Sequence, residues 1–81
     1  MVGQVIVRGT VTGIQEREFT IDTGRRMLTI DTIDMDHNPL DDKGYQRIDK
    51  GDYVTVAGEM DFDIREKREV MADNVTILDE K

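Results

Sequence analysis

The side chains able to do chemistry in this chain are mostly carboxylates: Asp and Glu number 18, against 11 Lys and Arg and a single His. There is no serine and no cysteine, so acyl-enzyme chemistry through either nucleophile is excluded. No glycine-rich segment opens a helix to cradle a phosphate. Carboxylate pairs recur through abundance alone, so none stands out as a general acid and base. The expectation is a non-enzyme without a cofactor.

Two arrangements invite a metal and neither completes a site. Asp34, Asp36 and Asn38 match the first three ligand positions of a calcium loop. Pro39 stands where the turn glycine belongs, and Tyr45 where the bidentate glutamate belongs. These acids are read as loop and helix-start residues. His37 has no second imidazole and no thiolate to join it, whereas zinc takes three or four protein ligands.

Recognition is the remaining chemistry. The net charge of −7 opposes a polyanion through the molecule's average field. Locally, Arg65, Lys67 and Arg68 cluster in one loop, with Arg17 in another and Arg25 and Arg26 at a turn. Single-stranded nucleic acid needs such a basic groove together with exposed aromatic platforms. Of the four aromatic residues, Phe19 reads as core and Tyr45 as part of a plug, which leaves Tyr53 and Phe62. Nucleic acid is therefore a disfavoured partner.

The elements that must hold these residues are strands. Val54, Val56, Gly58 and Met60 fall on one face of Gly51 to Asp61, and Tyr53, Thr55, Ala57 and Glu59 on the other, the period of two of a half-buried strand. Gly51-Asp52 launches this fourth strand, Met60-Asp61 starts the next turn, and Ala57 and Gly58 allow close backbone approach. The first strand, Val2 to Ile14, places Val5, Val7, Gly9 and Val11 together. Ile14 falls on the wrong parity, which predicts a bulge near Thr12-Gly13. Strand 2 carries Phe19, Ile21 and Thr23, and Gly24-Arg25-Arg26 makes a hairpin tip. Strand 3 runs from Met27 to about Met35, with a bulge or strand end near Asp31-Thr32 to reconcile Leu28 and Ile30 with Ile33 and Met35. Strand 5, Arg68 to Leu78, needs an irregularity at Asp73-Asn74, because Val70 and Ala72 differ in parity from Val75 and Ile77. Asn38 as a cap, Pro39 behind it and Gly44 as a stop predict one helical turn between strands 3 and 4, with Leu40, Tyr45 and Ile48 plugging a barrel end.

At 81 residues the chain forms a single domain, 1–81, with a small core. No apolar run reaches the ~18 residues of a membrane span. The compartment stays open: periplasmic if a leader has been removed, cytoplasmic if Met1 is the native start.

The motifs Val7-x-Gly9-x-Val11-x-x-Ile14, Phe19-x-Ile21-x-Thr23, Gly51-Asp52-x-Val54-x-Val56-x-Gly58-Glu59 and Val70-x-Ala72-x-x-Val75-x-Ile77 resemble the strand signatures of OB-fold domains. The expected fold class is all-β, a five-stranded Greek-key OB-fold barrel with a short helical turn between strands 3 and 4. Gly58-Glu59-Met60-Asp61-Phe62-Asp63, before a polar turn and a strand, resembles the bacterial OB-fold family of small, largely periplasmic stress-associated proteins. The resemblance implies a non-catalytic binding or interaction module for a small polar or glycan-like ligand or a protein partner. Its site would be Thr20, Asp22, Thr29 and Asp31 on the face of strands 2 and 3, flanked by Arg17, Phe62, Arg65 and Lys67 from the adjoining loops. The alternatives are single-stranded nucleic-acid binding and a structural or oligomerisation domain without a small ligand.

Overall fold

A computed structural model describes residues 2–33, 35, 47–61 and 69–80. Its elements are β1 (Val2–Ile14), β2 (Glu18–Asp22), β3 (Met27–Asp31), β4 (Tyr53–Asp61) and β5 (Glu69–Asp79). They form one closed sheet in the order β1-β2-β3-β5-β4. All neighbours are antiparallel except β3 and β5, which run parallel. No helix occurs among the described residues, and the helical turn expected over 38–44 lies outside them, as do Leu40 and Tyr45.

Closure depends on β1 serving two partners. Val2 to Thr10 pair with β4, while Thr10 to Ile14 pair with β2. The ladder slips between Val11 and Gly13, leaving Thr12 as the extra residue. That bulge is where the sequence requires it, since it returns Ile14 to the parity of its partner Phe19. β5 slips in the same way at Asp73, because Asn74 faces Ala57 while Ala72 faces Gly58. A further slip at Leu78, between the pairs Tyr53–Asp79 and Val54–Ile77, leaves no trace in the apolar pattern.

Inward-facing side chains from every strand fill the interior: Val11, Phe19, Ile21, Ile30, Val54, Val56 and Val70 are all at least 98% buried. Ile48 joins them from the segment before β4. Gly58 is required by close packing: a Cβ there would collide with the Met71 carbonyl oxygen on β5. At Gly9 a Cβ would lie 2.6 Å from the carbonyl oxygen of Asp22, so β1 can pass beneath the end of β2 only as glycine. Gly51, at φ +96°, turns the chain into β4, and the buried Asp52 closes that turn by accepting a hydrogen bond from the Asp49 N–H at 2.9 Å.

Of the two ways the sequence offers to reconcile Leu28 and Ile30 with Ile33 and Met35, a bulge or a strand end near Asp31-Thr32, the structure takes the second: β3 stops at Asp31 and does not run on to Met35. The buried Thr32 donates both its N–H, at 2.9 Å, and its hydroxyl, at 2.8 Å, to the Arg17 carbonyl. The Asp31 carboxylate then accepts the Ile33 N–H at 2.9 Å, and the chain leaves the sheet with Ile33 59% exposed. β4 departs in the other direction: Met60 and Asp61, expected to begin a turn, stay in the ladder opposite Gly3 and Val2. β2 closes at Asp22 rather than Thr23, and β5 runs to Asp79.

Candidate functional site

The alternation that buries Phe19 and Ile21 on β2 turns Glu18, Thr20 and Asp22 outward, and on β3 the burial of Leu28 and Ile30 turns out Met27, Thr29 and Asp31. Register completes the face. Thr20 lies opposite Thr29, Asp22 opposite Met27, and Glu18 opposite Asp31. Thus Thr20, Asp22, Thr29 and Asp31 share one surface, as expected. β5 extends it, since Glu69 and Met71 align with Thr29 and Asp31.

Each polar group has a distinct commitment. The Asp22 carboxylate accepts the Gly24 N–H at 2.8 Å and so tightens the hairpin tip, and Asp31 holds the β3 exit through the Ile33 N–H. Both retain lone pairs for a ligand, because an ionised carboxylate can accept about four hydrogen bonds. The Thr20 and Thr29 hydroxyls make no hydrogen bond among the described residues. Glu18 and Asp31 are like charges directly opposed across two strands, a pairing that costs a few tenths of a kcal/mol.

Arg17 stands at the edge of this face in a role that its position in the sequence did not signal. Its guanidinium donates to the carbonyl oxygens of Thr32 at 3.3 Å and Ile33 at 3.5 Å, while its own carbonyl takes both Thr32 bonds. It therefore clamps the loop between β1 and β2 to the exit of β3. Between them lies a shallow pocket of about 220 Å³, lined by Gln15, Glu16, Arg17, Glu18, Asp31 and Ile33. Glu18 was missed as a face residue, although its parity with Thr20 and Asp22 carries that signal. Phe62, Arg65 and Lys67 lie outside the described residues, as do Asp34, Asp36, His37 and Asn38.

Chemically, the face is a shallow acidic surface with two hydroxyls at its centre. Among the described residues no three His, Asp or Glu side chains converge to hold a metal ion. Among the described residues the carboxylates of Glu18, Asp22 and Asp31 outnumber the one guanidinium, Arg17, at this face, a balance that disfavours phosphate and favours donors of hydrogen bonds. No protein-family model matches the chain, and no curated protein is significantly similar to it in sequence.

Proposed function

We propose that this chain is a non-catalytic OB-fold binding module that takes a small, hydroxyl-rich, glycan-like ligand on the outer face of β2 and β3. The strand order, a first strand shared between two partners and a parallel β3–β5 contact support the Greek-key OB reading. The resemblance to the bacterial OB-fold family rests on Gly58-Glu59-Met60-Asp61 at the end of β4. The observation that carries the ligand class is the pairing of Thr20 with Thr29 inside a rim of Glu18, Asp22 and Asp31. Threonine hydroxyls donate and accept, carboxylates accept, and together they suit a neutral molecule carrying several O–H groups.

An amide NMR titration with a neutral soluble oligosaccharide tests this. Shifts should concentrate in residues 18–22 and 27–31, and Thr29→Val or Asp31→Asn should weaken binding about tenfold, the equivalent of one good hydrogen bond. An unresponsive spectrum, with a dT oligonucleotide instead shifting the same residues and fading with salt, would replace this reading by single-stranded nucleic-acid binding. Concentration-dependent self-association in sedimentation, with no response to either ligand, would point to the structural alternative.

A further inference from the structure

The first half of β1 has a partner on one side only. Val2 to Thr10 pair with β4, but β2 joins β1 only from Thr10 onward, and no other strand among the described residues lies alongside residues 2–9. Val11 donates its N–H to Asp52 and accepts from Gly51, so its peptide groups face the β4 side. Strand alternation then points the N–H and C=O groups of Gln4, Ile6 and Arg8 away from β4, along the free edge. This edge borders a groove of about 470 Å³. Val5, Ile6, Val7, Leu28 and Met60 are its apolar lining, and Arg8 lines it together with Arg25 and Arg26 from the hairpin tip. Among the described residues no acidic side chain lines it, and none of the three exposed guanidinium groups engages a carboxylate.

From this juxtaposition we propose that the free edge of β1 binds an acidic segment of a partner protein, which adds as an extended strand with its carboxylates on Arg8, Arg25 and Arg26. A strand edge recognises a peptide backbone through alternating donors and acceptors, and adjacent pockets select its side chains. Three edge residues offer about six ladder hydrogen bonds. Arginine supplies charge complementarity, and its planar fork suits carboxylates. A nucleic acid fits less well, since it presents no ladder to the edge and no aromatic ring among the described residues lines the groove for a base to stack on. A second copy of this chain, pairing β1 with β1 in antiparallel fashion, would bring two Arg8-bearing edges together.

The test uses an acetylated, amidated octapeptide of alternating glutamate and valine, with lysine replacing glutamate in the control. Amide shifts should centre on residues 4–8 and 23–26. Hydrogen exchange at Gln4, Ile6 and Arg8 should slow by about tenfold or more at saturation, because those amides become ladder donors. Arg8→Glu and the Arg25→Glu/Arg26→Glu pair should each weaken binding about tenfold or more, with Arg8→Gln intermediate. All three side chains are exposed, and circular dichroism of each variant would check that the fold is kept. The proposal is overturned if the lysine peptide binds equally, if shifts appear without slowed exchange, if a dT oligonucleotide displaces the peptide, or if those amides are already slowed by raising protein concentration alone. The edge and the β2–β3 face use different residues, so either reading can fail without the other.

Discussion

The outer face of β2 and β3 and the free edge of β1 belong to the same sheet, yet one gathers Glu18, Asp22 and Asp31 around two threonines and the other gathers Arg8, Arg25 and Arg26 beside Val7, Leu28 and Met60. They differ in backbone as well as in charge. At the Thr20–Thr29 centre of the first surface both strands are paired on both sides, so it is the side chains there that can bind, whereas the second also offers unpaired peptide groups. A net charge of −7 describes neither surface. At physiological ionic strength exposed charges act over about 8 Å, so what a partner meets is the local set.

Because both surfaces hang on one scaffold, the largest expected effect removes the contrast altogether. Gly58→Ala should cost about 3 kcal/mol, at the upper end for overpacking, since the obstructing Met71 oxygen is backbone and cannot rotate aside. Urea unfolding would measure it, and a loss below about 0.5 kcal/mol would mean that β4 and β5 can separate freely there. Gly24→Ala should act first on the arginine side, and reach the acidic face only through the Gly24 N–H that the Asp22 carboxylate accepts. Nothing lies within 4 Å of a Cβ at that position, so its cost is that of holding φ near +94° with a side chain, about 1 to 2 kcal/mol. Weaker binding of the acidic peptide, with unchanged oligosaccharide titration, would sharpen the separation.

Thr32→Val acts on the opposite side. It removes the 2.8 Å bond from the hydroxyl to the Arg17 carbonyl but keeps the shape of the buried side chain, and should cost about 1 kcal/mol. Hydrogen exchange should then quicken at Ile33 and Thr32 and leave Ile6 and Arg8 unchanged. The smallest effect has the opposite sign. Glu18→Gln removes one of two facing carboxylates and should stabilise the protein by a few tenths of a kcal/mol at low salt, fading as salt is added.

Parity made much of this architecture legible. Ile14 shares the parity of Phe19 only through a slip near Thr12, and Val75 and Ile77 join the core face only through one near Asp73, so both bulges follow from the apolar pattern. The same alternation grouped Thr20, Asp22, Thr29 and Asp31 correctly. Features set by distant contacts escaped it. The change of parity between Ile30 and Ile33 marks a bulge or strand end near Asp31-Thr32, but not the bond from Thr32 to the carbonyl of Arg17, 15 residues away, that makes it an end. The role of Arg17 as a clamp is hidden for the same reason. Likewise Arg8 lines one groove with Arg25 and Arg26 only because β1 outruns β2, a matter of strand lengths rather than of motif.

Two of the three residues at ladder slips are themselves bystanders to the core: Thr12 and Asp73 are both exposed. Each adds local twist and bend to its strand, and the turning of β1 and β5 is what lets five strands meet end to end. Over evolutionary time such positions are constrained in number rather than in kind. Almost any residue serves there, and a scan of substitutions would record them as tolerant. Deleting either one would leave every neighbouring side chain on its proper face and straighten the strand, so the sequence would still spell a sheet that no longer curves enough to close.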